Sequence, residues 1–166
     1  MQDIMPISVT GNNKLKEELT ALEKEAEELT VRVAEAREMG DLKENGEYIY
    51  GRQNLGFVEG RMGEIRGKLN NSEVVDCTKV SCDTIAFGTV VTLMDLDSKK
   101  EIIFQLLGSY DYNLIESVGK KVNRVSLLSP IGEGLVGHAV GDKFTVTVPR
   151  GDMNYEVLNI SVSEFE

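Results

Sequence analysis

Apolar or small residues recur at Leu15, Leu19, Leu22, Ala26, Leu29, Val33 and Ala36, and again at Tyr48, Gly51, Leu55, Val58, Met62, Ile65 and Leu69. Both series step by threes and fours without a break, the 3.5-residue spacing of a coiled-coil seam. The pattern predicts one helix to about residue 39 and a second from about 42 or 43 to 69. Each holds about 27 residues and spans about 40 Å at 1.5 Å per residue. A short polar link between two such helices makes them fold back antiparallel. The link falls within 40–48, read Gly-Asp-Leu-Lys-Glu-Asn-Gly-Glu-Tyr, which stands at the far end of the resulting rod. Residues 1–10 look extended, and Thr10 or Asn12 is placed to cap the first helix, with Gly11 allowing the turn.

From residue 73 the period changes from 3.5 to two. The stretches 86–96, 101–107, 122–128, 143–148 and 154–162 read as strands, separated by turns at Asp97-Ser98, Gly108-Ser109 and Arg150-Gly151-Asp152. A short helix is predicted at 131–136, after Pro130 and ended by Gly137. The fold class expected is α+β: an antiparallel coiled-coil hairpin over 1–73, then a globular domain over 74–166. That domain is an antiparallel sheet with one face packed on the short helix. No long Gly/Ser linker joins the two parts. The second helix holds Gly46, Gly51, Gly56, Gly60, Gly63 and Gly67, each costing about 1 kcal/mol against alanine in a helix interior. Such a helix must lean on its partner, and Gly51, on the seam, is where close backbone approach would repay the loss.

Charge narrows the functional classes. The chain carries a net charge of −10, with 10 basic and 14 acidic groups in residues 1–72 and 8 and 14 in the rest. A general nucleic-acid binder needs a basic surface to neutralise phosphates, so any contact with RNA has to be local. The first nine residues include Asp3 and Pro6 and lack an apolar core, unlike a secretory signal. No apolar run approaches the roughly 20 residues that span a bilayer, and the expected location is the cytoplasm. Cys77, Cys82 and His138 are one short of the four ligands of a structural zinc site, and the two cysteines read as reduced thiols. His138 reads as structural, and the glutamates between 17 and 28 read as a solvated face. Gly60 to Lys68 lacks the spacing and the Ser or Thr of a phosphate-binding loop, and Asp95-Leu96-Asp97 is too short for a calcium loop.

The remaining chemistry is at the link. Asp41 and Glu44 are three residues apart, the spacing of a capping box with Asp41 as N-cap and Glu44 at N3. The same spacing puts both carboxylates on one helical face, where they could ligate Mg²⁺. That ion takes six oxygens, so two acids could only complete a shell that another protein and a nucleic-acid phosphate had half built. In a two-metal phosphodiester site the second ion generates the attacking water and offsets developing charge. This points to a donor of ligands rather than a free-standing hydrolase. Arg37, Lys43 and Arg52 lie within about two to three helical turns of the acids. They are placed either to contact RNA or to make ordinary charge pairs along the coil.

The motif residues themselves resemble a known family. Ala34-Glu35-Ala36-Arg37-Glu38, Gly-Asp-Leu-Lys-Glu-Asn at 40–45, Glu47-Tyr48, Arg52, Gly56-Phe57 and Glu59-Gly60-Arg61 are similar to bacterial transcript cleavage factors of the GreA type. The likeness extends to Lys68-Leu69, Phe87-Gly88, Val91, Ser129-Pro130-Ile131 and Leu135. It implies a coiled coil that enters the secondary channel of a backtracked RNA polymerase. There the tip acids, here Asp41 and Glu44, help the polymerase hold its second Mg²⁺ and a water, and the polymerase cuts its own transcript. It also implies that Arg37 and Arg52 contact the RNA 3′ segment, that Ser129 and Pro130 belong to a loop docking on the channel rim, and that the C-terminal domain is FKBP-like without isomerase activity. The chain departs from the family in its extra glycines in helix two and in Gly132-Glu133, where an Ala-Arg pair is common. Other readings are a channel-binding inhibitor of polymerase on the same scaffold, an FKBP-like isomerase and a coiled-coil adaptor. Intact Asp41 and Glu44 speak against the inhibitor, and the lack of tryptophan against an aromatic isomerase pocket.

Overall fold

The computed structural model of the chain describes residues 3–40, 45–112 and 121–163. They form β1 (Met5–Ser8), α1 (Val9–Glu38), α2 (Gly46–Asn70), β2 (Ser72–Val75), β3 (Thr89–Asp95), β4 (Lys100–Leu107), β5 (Val122–Ser126), α3 (Pro130–Leu135), β6 (Lys143–Val148) and β7 (Gly151–Val162). Two compact units result, Asn13–Asn71 and Met1–Asn12 together with Ser72–Glu166.

The helical unit keeps the seam that the sequence predicts. Leu29, Val58 and Met62 form a buried cluster flanked by Leu19, Leu22, Ala26 and Leu55. Val33, Ala36 and Tyr48 form a second cluster nearer the turn. None of the fourteen seam positions is exposed. A Cβ on Gly51 would lie 3.0 Å from Val33 Cγ2, so the backbone of α2 does approach α1 closely there. At Gly56, Gly60, Gly63 and Gly67 a Cβ would meet nothing within 4 Å among the described residues, so no close backbone approach calls for glycine there. The glutamate face of α1 is solvated, with two members paired to α2. Glu18 takes Arg61 in a two-bond contact at 2.8 and 3.2 Å, and Glu23 takes Arg66 at 3.2 Å. Such half-exposed pairs are worth a few tenths of a kcal/mol to about 1 kcal/mol.

The caps fall elsewhere than the sequence reading places them. Helix α1 begins at Val9 and follows β1 directly. Its cap is Ser8, not Thr10 or Asn12, because Ser8 Oγ accepts the Gly11 N–H at 2.9 Å. Ser8 in turn donates from its N–H and its hydroxyl to the two oxygens of buried Asp111, at 2.8 and 2.7 Å. A Cβ on Gly11 would collide with Asp111 Oδ1, so only glycine fits at that point.

The globular unit holds a five-stranded sheet in the order β5-β4-β3-β7-β6 and a two-stranded sheet of β1 and β2. Strand β3 alternates buried and half-buried residues along its length, the period of two made physical. Its inner residues Val91 and Leu93 pack with Phe104, Leu106, Val125, Tyr155 and Val157, and α3 supplies Leu135. Leu158 is the extra residue of a bulge, since Thr92 pairs with Asn159 and Leu93 with Val157. The expected antiparallel sheet is mixed: β4 pairs β5 in parallel, as does β1 with β2. Periodicity reports which face a side chain takes, not the direction of the neighbouring strand. His138 stacks on Phe144 at 3.9 Å and its Nδ1 stands 3.6 Å from Asp142, a structural setting. Asp95 accepts the Asp97 and Ser98 N–H groups at 3.0 and 3.2 Å and so serves the β3–β4 turn, where Lys99 takes a φ of 57°. Those bonds, Ser98's first, hold its carboxyl below the ordinary value.

Candidate functional site at the hairpin turn

Asp41 and Glu44 lie outside the described residues, and Lys43 with them. The structure instead defines what stands on either side. Asn45 is the N-cap of α2, with extended backbone (φ −80°, ψ 95°) and Oδ1 accepting the Tyr48 N–H at 3.2 Å. The capping box on Asp41 and Glu44 is therefore a correction: α2 starts at Gly46, and the N-cap is Asn45. The other half of the same amide reaches across the turn, where Nδ2 donates to the Ala36 carbonyl at 2.6 Å. One side chain thus adds a second donor to a carbonyl in the last turn of α1, which also accepts the Met39 N–H at 3.2 Å, and satisfies an orphan N–H in the first turn of α2.

Tyr48 is buried against Val33 and Ala36. Arg37 and Arg52 each place a guanidinium carbon 5.8 Å from its ring centroid, within cation–π range. Arg52 Nη1 also reaches the Tyr48 hydroxyl at 3.4 Å. The phenol ionises below its ordinary 10.0, chiefly because Arg37, and then Arg52, bring hydrogen-bonding positive groups to its oxygen. Both arginines are exposed. Among the described residues neither forms a salt bridge to a carboxylate, unlike Arg61 and Arg66 farther along the hairpin. The two residues singled out in the sequence as a basic patch are thus gathered on one ring. The Tyr48–Arg52 half of this was open to sequence reading, being an i, i+4 pair. The Arg37 half needed the hairpin to close. Tyr48 itself reads from its spacing only as seam.

Ser129 and Pro130 occupy the start of α3. Ser129 is the N-cap: its Oγ accepts the Gly132 N–H at 3.1 Å and donates to the Ser126 carbonyl at 2.7 Å. Pro130 sits in the first turn, where its missing N–H costs nothing. Both line a largely apolar hollow of about 350 Å³ with Tyr112 and Arg150. Glu133 is exposed on the same helix, whereas Gly132 is buried and a Cβ there would collide with the Ser126 carbonyl.

Among the described residues no three His, Cys, Asp or Glu groups gather where they could hold a metal, and no helix is long and apolar enough to cross a membrane. A helical hairpin that carries cations on a buried tyrosine beside its turn, and a second unit of sheet and short helix, define a two-unit α+β protein.

Comparison with known proteins narrows the class. Residues 5–74 match the family described as transcription elongation factor, N-terminal, and residues 80–162 match transcription elongation factor, GreA/GreB, C-term. The transcription elongation factor GreA of Desulfotalea psychrophila is 40% identical over 99% of this chain and 99% of its own. That of Rickettsia conorii is 38% identical over 100% and 99%. The crystal structure of GreA factor homolog 1 of Thermus thermophilus is 23% identical over 93% of this chain and 97% of its own, at a TM-score of 0.42. The chain belongs to the GreA/GreB transcription elongation factor family. It is accordingly a factor of transcription elongation.

Proposed function

We propose that the chain places its hairpin turn in the secondary channel of bacterial RNA polymerase and stimulates that enzyme's cleavage of backtracked RNA. Family membership over both halves supports this reading. The observation that carries it is the gathering of Arg37 and Arg52 on Tyr48, beside the sequence that holds Asp41 and Glu44. Among the described residues neither arginine has a carboxylate partner, and cations close in sequence to two acids suit a partner that brings both phosphates and a divalent ion.

Two carboxylates fit Mg²⁺ as a fraction of its six-oxygen shell, so Asp41 and Glu44 would share the ion with polymerase rather than hold it alone. Bound there, the ion activates water and offsets charge on the phosphodiester. The roles of this chain's other residues follow from their chemistry. Arg37 and Arg52 bind phosphates of the RNA 3′ segment, and so fix the strand beside the acids. Ser129 and Pro130 contact the channel rim, with the apolar hollow beside them and Glu133 exposed on the same helix. Among the described residues the hollow is lined by one tyrosine, Tyr112, and two prolines, which is poor material for an isomerase site.

The test uses backtracked complexes of bacterial RNA polymerase. Wild-type protein should shorten the RNA. The double variant Asp41→Ala, Glu44→Ala should lower the stimulated rate by about 100-fold or more while still competing with wild type for polymerase. Equal RNA shortening by the double variant would sink the reading.

A further inference from the structure

We infer that Tyr48 is a positioning residue, holding the Arg37 and Arg52 guanidinium groups as a preformed cradle for an RNA phosphate. This rests on the functional reading above and adds to it a third residue, the one that holds the two arginines in place. The argument begins with the arginine side chains. Each has several rotatable bonds and about 2 kcal/mol of rotamer entropy, so two free arginines would have to be ordered when the phosphate arrives. Here both meet one ring, and that ring is itself fixed. Tyr48 is buried against Val33 and Ala36, and its N–H is held by Asn45. The two cations repel one another, and the negative ring face and phenol oxygen offset part of that repulsion.

What remains is suited to an anion. A guanidinium has five N–H donors. Among the described residues no carboxylate makes a salt bridge to either arginine. A phosphodiester oxygen entering beside both would relieve the residual repulsion and take charge-assisted bonds from each. Tyr48, Ile49, Arg52 and Gln53 also line an open depression of about 350 Å³ beside the ring. Arginine next to a partly apolar hollow matches a nucleotide, which brings a phosphate together with a flat base.

The experiment measures RNA shortening in backtracked polymerase complexes. The full chain is used as wild type, Tyr48→Phe and Tyr48→Leu, each also in an Arg37→Ala, Arg52→Ala background. Tyr48→Phe keeps the ring and its packing and loses only the hydroxyl. Its maximal rate should fall about threefold, and that of Tyr48→Leu about tenfold. The concentration giving half-maximal stimulation should stay unchanged in both. In the background lacking the two arginines neither substitution should lower the rate further, because the cradle is already gone. A full wild-type rate for Tyr48→Leu would overturn the inference, and so would an equal fall in both backgrounds. If Tyr48→Leu does not fold, the Tyr48→Phe pair decides by the same rule. Wild-type protein that leaves the RNA uncut would reject the functional reading and this one with it. Wild-type cleavage with Tyr48 inert would reject this one alone.

Discussion

Tyr48 occupies a seam position and yet has its ionisation governed by two surface arginines. Its folded pKa lies below 10.0, so between the folded and unfolded values the folded state binds fewer protons. The contribution to stability is therefore present above the unfolded pKa and is lost as pH falls through the folded one. Ultraviolet difference titration of wild type against Tyr48→Phe should isolate a phenol that ionises below free tyrosine. In the Arg37→Ala, Arg52→Ala protein that phenol should titrate higher. Asn45 has a different part, since its amide caps both helices at once. Asn45→Ala should lower stability by about 1–2 kcal/mol in urea unfolding, the range of an N-cap loss. No loss at all would mean that the amide contacts add nothing net. The sequence shows an asparagine before Gly46 but not the carbonyl across the turn, which belongs to a residue nine positions earlier.

At the scale of elements, the two helices are the most legible part of the molecule. Their seam needs only local spacing, and each predicted seam residue is at least partly buried. The glycines of α2 divide by environment in a way that spacing only half reveals. Gly51 faces Val33 at close quarters, while Gly60 and Gly63 look into open space. Gly60→Ala with Gly63→Ala should raise stability by about 2 kcal/mol, because alanine lowers the entropy cost of the helix and meets no obstacle. Gly51→Ala should gain less than either single change, since its methyl has to displace Val33. Thermal unfolding of the double variant and of the three single variants checks both statements. Strand positions were also legible, with β6 predicted to the residue and β3, β4, β5 and β7 near their ends. The parallel pairing of β4 with β5 was not, because partner direction is a non-local choice.

For the whole molecule, the first strand matters most. Residues 5–8 pair with 72–75 and group with the sheet unit rather than with the helices. Ile7 is fully buried, and Ser8 holds Asp111 across 103 positions of sequence. Ile7→Ala should therefore cost about 2–4 kcal/mol, registered in the unfolding of the sheet unit. Hydrogen exchange offers the sharper check. Amides of β2 should lose protection in Ile7→Ala, and unchanged protection would count against β1 as part of that unit. Local pattern does not show this pairing, because four extended residues ahead of a helix carry no mark of the strand they join.

What local pattern alone determined here is the hairpin, the change of period near residue 73, most strand positions and the identity of the arginines and acids around the turn. These follow from spacing along one chain, which fixes the face each side chain takes. Only the tertiary structure decided that Ser8 and Asn45 are the caps, that two strand pairs run parallel, and that Arg37 and Arg52 share Tyr48. Each of those depends on a contact that local spacing does not show: Ser8 with Asp111, Asn45 with Ala36, Arg37 with Tyr48, and strand with strand, each formed only once the chain has closed on itself.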